Sequence, residues 1–213
     1  MSITVHEPEI ADVSAETIAA LKELPVAIIG DELNRAQMMH AAIKPVARGS
    51  RFAGRALTVH CMVGDNLALH HAASIAAPGQ VIVADGRSHE DTALWGGILH
   101  EAATKRGVVA VVIDGAVRDV AELRDSPVPA YARAVVPAGP HKGFGGEVNG
   151  MIQCGGTAVQ PGDILVGDDD GVVVIRPEQL AGLVERCRER IANEDKILAG
   201  IAEGKTTVEL LGL

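Results

Sequence analysis

Residues 108–113 (VVAVVI) constrain what this chain can fold into more than any other stretch. An unbroken, mostly β-branched run fits a strand covered on both faces, as in a parallel sheet. A second apolar run, residues 81–84, stops at the turn pair Asp85-Gly86. Between the two, Ile98, Leu99, Ala102 and Ala103 fall on one helical face, and Gly107 stands where a helix ends. Strand, helix and strand form a βαβ unit. Its strands are parallel, so the loops that follow them open at the same edge of the sheet. The expected class is α/β, with this unit at the centre.

The position of the helix start decides what that edge can do. Glycine inside a helix costs roughly 1 kcal/mol relative to alanine, so Gly96-Gly97 belongs at the first turn. The backbone N–H groups of Gly96, Gly97, Ile98 and Leu99 are then free, and such a terminus suits a carboxylate or phosphate. The next loop, 114–119, leaves the neighbouring strand at the same edge and delivers Arg118 and Asp119. Amides, a guanidinium and a carboxylate able to hold a divalent cation would share one pocket. A plainer reading also fits: Gly-Gly for close helix–sheet packing, Arg118-Asp119 as a solvated turn.

The 213 residues suffice for one domain with a sizeable core, and 2% aromatics make that core Val, Ile, Leu and Ala. Net charge is −9 and no basic run occurs, which argues against nucleic acid as a partner. Cys61, Cys154 and Cys187 are scattered without a CxxC, as expected for reduced thiols in a cytoplasm. With neither a leader pattern nor an apolar stretch near about 18 residues, a soluble protein is expected, with no membrane partner.

Along the chain, residues 1–13 read as an arm. Ser14 can cap a helix running to about Leu24. Asp31 is placed to cap a second helix over 32–40, and Glu32 reads as a solvated helix start. Residues 55–62 alternate as a strand; His60 and Cys61 point to opposite faces, so they do not make a metal pair. Helix 64–77 carries His70 and His71, read as structural or surface residues. A strand over 131–136 precedes the glycine-rich segment 137–150, a lid bearing His141 and Lys142 or an ordinary connector. Short strands at 157–159, 164–166 and 172–175 follow, with Asp168, Asp169 and Asp170 read as a turn. Pro177 opens a long helix to about Glu203, and an apolar tail ends the chain. Helix and tail over 177–213 point to oligomer contacts.

Gly97, twenty intervening residues, Arg118-Asp119 and then Glu122 resemble the signature of the RraA-like family. That family includes the ribonuclease E activity regulator and the 4-hydroxy-4-methyl-2-oxoglutarate and 4-carboxy-4-hydroxy-2-oxoadipate aldolases. The segments GDNLALHHA, WGGILHEAA, VVIDGAVRD and PGDILVGDDDGVVVI resemble it too. Some members carry an acid where this chain has Gly97, and members often have an acidic segment like Asp31-Glu32, so the resemblance implies Glu32 as a candidate site acid. The resemblance implies a layered α/β/β/α sandwich, swivelling phosphohistidine-domain-like. It also implies a homotrimer or hexamer with its site at a subunit boundary.

The implied activity is divalent-metal-dependent cleavage of a 4-hydroxy-2-oxo acid to pyruvate, with oxaloacetate decarboxylation related to it. Asp119 would hold Mg²⁺ or Mn²⁺, Arg118 would stabilise charge on the 2-oxo oxygen, and the amides of Gly96, Gly97, Ile98 and Leu99 would hold the substrate carboxylate. Glu194 from a neighbouring subunit would orient the water that accepts the C4 hydroxyl proton. The alternative is a protein-binding regulator of a ribonuclease, which needs no metal.

Overall fold

The computed structural model describes residues 2–213. The chain opens with β1 (Ile3–Val5), α1 (Ala15–Lys22), α2 (Val26–Glu32), β2 (Lys44–Pro45), β3 (Phe52–Cys61) and α3 (Leu67–Ile75). The central unit is β4 (Gln80–Trp95), α4 (Gly97–Lys105) and β5 (Ala110–Val117), followed by α5 (Val120–Asp125) and β6 (Ala130–Val135). Short strands follow: β7 (Gly146–Val148), β8 (Ile152–Cys154), β9 (Thr157–Val159), β10 (Ile164–Asp168) and β11 (Gly171–Ile175). Helices α6 (Leu183–Ala202) and α7 (Thr207–Leu211) close the chain.

The main sheet runs β1-β7-β3-β4-β5-β6-β2, and the β10–β11 hairpin attaches to β3. Strands β3, β4, β5 and β6 are mutually parallel. Strand β3 is long enough to divide one edge between two partners. Its first half pairs antiparallel with β10, its last three residues with β7.

Period-two alternation sends the side chains into two different cores. Leu57, Val59, Ile82, Ala84, Val111 and Ile113 meet Leu69 of α3, Leu99 of α4 and Leu123 of α5. From the opposite face, Ala56, Val81, Val83, Val112 and Tyr131 meet Val159, Leu165, Val172 and Val174. Phe52 and Tyr131 stack edge to face there, centroids 5.2 Å apart, a geometry that adds about 1 kcal/mol to simple burial. The outer side of β10 and β11, with Ile164, Val166, Val173 and Ile175, packs on Leu21, Ile29, Leu183 and Cys187 of α1, α2 and α6. The result is an α/β/β/α layering, as expected. Every residue of β5 is buried, so the unbroken apolar run marks a strand covered on both faces.

Several boundaries differ from the sequence expectation. The helix expected over 32–40 lies upstream as α2, because Pro25 starts it and Asp31-Glu32 end it. Residues 34, 35 and 37 then take positive φ, which no helix allows. Asp85-Gly86 does not stop β4; the strand bulges outward, since residues 85–93 face only Asp114, Gly115 and Ala116 of β5, and it resumes pairing through Trp95. The arm forms β1, parallel to β7. Pro177 opens only a 3₁₀ turn, and Gly182 in the left-handed region breaks the chain before α6 begins. The triple Asp is the β10–β11 turn, where Asp168 accepts from the Val26 and Asp170 amides.

Candidate active site

The ends of β4 and β5 lie side by side, with Trp95 in register with Val117. The register brings Gly96 next to Arg118, whose amide donates to the Trp95 carbonyl at 3.0 Å. Asp119 follows in the left-handed region (φ 57°), a conformation that Asp and Asn tolerate better than most residues. This bend turns its carboxylate back to α4, where Oδ2 accepts the Gly97 N–H at 2.9 Å. Arg118 Nε stands 3.6 Å from the same oxygen, and both side chains are 40% exposed.

Glycine at both positions leaves room for the carboxylates that lie against the pair. A β-carbon at Gly96 would come within 2.6 Å of Asp119 Oδ2, and one at Gly97 would overlap Glu122 Oε2. Two carboxylates therefore converge on the first turn of α4. That turn does not offer four free amides, as the sequence reading held: the Gly97 N–H is taken by Asp119. The Ile98 and Leu99 amides have no protein acceptor among the described residues.

The cleft beside these groups is small, about 60 Å³, and Asn66, His70, Trp95, Gly96, Ile98, Leu99, Arg118, Asp119 and Lys142 contribute to its wall. Asn66 is 5% exposed; its Nδ2 donates to Leu94 O at 2.9 Å, while Oδ1 has no protein partner. Trp95 Nε1 donates to His100 Nδ1 at 3.2 Å behind the wall. Burial, with Lys142 and His71 nearby, lowers the His70 pKa, so its imidazole is neutral at pH 7.

The segment 137–150 forms one side. Its chain is tied down by Asn66 N–H to His141 O, His141 N–H to Gly64 O, and Ala93 N–H to Ala138 O. Gly139 leaves room for Arg118 Nη1, which would lie 2.6 Å from a β-carbon there. Asp65 is buried at its base and accepts the amides of Leu67, Gly143 and Phe144. Burial works to raise the Asp65 pKa, but these donors and His141 outweigh it and hold the carboxyl below its usual range.

Arg118, Asp119, Gly96, Gly97, Ile98 and Leu99 thus come together as expected. Glu194 does not join them within one chain; it is exposed on α6, in the outer helical layer. Glu32 is held by Arg186 and Arg190 of α6. Asn66, His70 and Lys142 were not expected as a group; His70, read as a structural or surface residue, lies half-buried in the cleft wall. They are distant in sequence, and only Lys142, on the suspected lid, carried a signal. Among the described residues no three His, Cys, Asp or Glu side chains cluster as a metal cage.

The family model described as RraA-like, Aldolase/RraA, matches residues 26–174. A Halalkalibacterium halodurans protein provisionally named 4-hydroxy-4-methyl-2-oxoglutarate aldolase is 33% identical, the match covering 84% of this chain and 85% of that one. The solved structure of an uncharacterised Pseudomonas syringae protein superposes with TM-score 0.83 at 25% identity, covering 96% and 97%. The Thermus thermophilus RNA-processing inhibitor RraA superposes with TM-score 0.66 at 33% identity, covering 72% and 93%. Arg118, Asp119 and Glu122 all lie within the matched span, and the architecture around them is shared: the chain belongs to the RraA-like family.

Proposed function

We propose that the protein is a divalent-metal-dependent lyase that cleaves a 4-hydroxy-2-oxo acid between C3 and C4, releasing pyruvate and a second oxo acid. Decarboxylation of oxaloacetate leaves the same enolate and is proposed as a related activity. The observation that carries the reading is the convergence of Arg118, Asp119 and the open first turn of α4 on one small cleft, with Glu122 packed against Gly97 of that turn.

The donor set fits a hard cation with few protein ligands. Two carboxylates meet over Gly96-Gly97, and among the described residues no third acid, histidine or thiol joins them as a ligand cluster. Mg²⁺ suits such a site, because it is commonly held by one or two carboxylates and otherwise by water and substrate oxygens; Mn²⁺ takes the same ligands. Asp119 would hold the ion, with Glu122 beside it. When bound, the ion supplies Lewis-acid stabilisation of charge on the substrate's oxygens.

The chain's own groups do the rest. Amides of Ile98 and Leu99 bind the 1-carboxylate at the positive end of α4. Arg118 donates to the 2-oxo oxygen as negative charge develops there. Lys142 and Asn66 face the distal half of the substrate. Loss of the C4 hydroxyl proton needs a base; His70, neutral in the cleft wall, is one acceptor within the chain. Glu194 of a second copy is the other, which requires the proposed homotrimer or hexamer.

Pyruvate release from 4-carboxy-4-hydroxy-2-oxoadipate and from oxaloacetate, measured with and without Mg²⁺ or Mn²⁺, tests the reading. Metal-dependent release should fall at least about a hundredfold in Asp119→Asn, the loss of several kcal/mol of charge stabilisation. The substitution retains an acceptor for the Gly97 amide and a residue that tolerates the left-handed bend. Undiminished release would remove Asp119 from the mechanism. His70→Asn and Glu194→Gln, compared by pH–rate profile, separate the two proton acceptors.

The likeness to an RNA-processing inhibitor favours one second reading, a regulator that binds a ribonuclease. Binding to a ribonuclease scaffold segment, undiminished in Asp119→Asn and accompanied by no turnover, supports that alternative. A cytoplasmic setting is proposed from the three free, buried thiols. No described helix is long and apolar enough to cross a membrane.

A further inference from the structure

The sequence contains no basic run, yet the fold builds a basic pocket at the opposite end of the parallel strands from the cleft. Segment 47–51, Lys22 at the end of α1, the end of α5 and the prolines before β6 enclose about 370 Å³. Lys22, Arg48, Arg51 and Arg124 line this cavity, and no acidic residue does. Among the described residues, none of the four has a carboxylate within ion-pairing distance.

Two of the guanidiniums are tethered by backbone. Arg51 Nη1 donates to the Lys22 and Glu23 carbonyls at 3.3 and 2.8 Å, and Arg124 Nε to the Val46 carbonyl at 3.2 Å. A guanidinium has five N–H donors, so each keeps several in reserve. The Lys22 ammonium and the Arg48 guanidinium have no side-chain hydrogen bond among the described residues. The adjacent turn, Asp168 to Asp170, shares a separate recess with Arg51; there Asp169 takes the Gly49 amide with both oxygens, and Asp168 takes the amides of Val26 and Asp170.

Four cations without an ion-pair partner around one concavity repel each other, and in a chain of net charge −9 their grouping is not a by-product of excess base. A bound polyanion removes that repulsion. The cavity falls within the range of small-molecule sites, roughly 300–1,000 Å³. Ala47, Leu123, Pro127 and Pro129 supply apolar wall, but no aromatic ring lines it. Nothing there stacks on a base, so recognition rests on multiple charged N–H donors, the chemistry of phosphate groups.

We propose that this pocket binds a small polyphosphate anion, either inorganic diphosphate or a soluble metabolite carrying a diphosphate group. The proposal stands apart from the aldolase reading of the cleft.

Calorimetric titration of the full chain with inorganic diphosphate, in metal-free buffer, tests it. Orthophosphate and tricarballylate serve as comparison anions. Wild type should bind diphosphate more tightly than either. Affinity should fall roughly tenfold for each charged donor removed, so roughly tenfold in Lys22→Ala and a hundredfold in Arg48→Ser/Arg124→Ser. Lys22 is exposed, so its replacement tests the site without threatening the fold. Arg118→Ala should leave diphosphate affinity unchanged. No binding at millimolar diphosphate, undiminished binding in Lys22→Ala and the double variant, or loss in Arg118→Ala would each overturn the assignment. Equal affinity for tricarballylate would overturn its phosphate selectivity.

Discussion

The Glu122 carboxylate occupies the volume that a β-carbon on Gly97 would need. A side chain at position 97 and the present position of Glu122 are therefore mutually exclusive. Gly97→Ala should push Glu122 away from Asp119 at little cost to the fold, because glutamate is flexible and alanine favours the helix by roughly 1 kcal/mol. We expect unfolding free energy to hold or rise and the metal concentration for half-maximal turnover to rise several-fold. Glu122→Ala should raise it similarly, and the double variant should add little to either. Additive effects in the double variant would mean that the two positions act independently.

Trp95 is the only tryptophan, and it donates to buried His100. Burial lowers the His100 pKa below its ordinary 6.5, partly offset by the Val128 carbonyl and Glu101. Because the folded value is depressed, the stabilisation is present above pH 6.5 and is lost as pH falls through the folded pKa. Trp95 fluorescence should titrate with a midpoint below 6.5, and His100→Phe should abolish that transition. A transition that survives His100→Phe would assign it to another group, with His70 the first alternative.

Asp65 holds segment 137–150 through the Gly143 and Phe144 amides. Its folded pKa is also depressed, so its contribution is complete above the ordinary value of 3.8 and fades as pH falls through the lowered folded value. Amide exchange at Gly143 and Phe144 should therefore accelerate in acid before the β5 amides do. Simultaneous loss of protection at all of them would show that Asp65 does not control the segment separately.

Asp114 and Arg133 form a buried ion pair, 5% and 11% exposed. Asp114 also accepts from Ser88 Oγ and the Gly155 amide, so it ties the β4 bulge to the β8–β9 turn. Arg133→Ala leaves that carboxylate buried without its cation and should cost about 3–5 kcal/mol. Urea denaturation measures it, and a loss under about 1 kcal/mol would mean that solvent reaches Asp114.

The chain by itself determined the βαβ unit, because an unbroken β-branched run, a helical face and a stop glycine are local signals whose periods differ. It also marked Arg118, Asp119 and the Gly96-Gly97 pair, since parallel strands open their following loops at one edge. Helix boundaries near Pro25 and Gly182 were less legible: single prolines and glycines punctuate the chain without saying which side continues. Tertiary structure alone decided that Asp119 consumes the Gly97 amide and that Glu122 fills the space above it. It alone brought Asn66, His70 and Lys142 to one cleft, and Lys22, Arg48, Arg51 and Arg124 to one pocket. Those groups come from segments up to about a hundred residues apart, and only the packing of layers and loops brings such positions together; a linear pattern records spacing along the chain, not proximity across it.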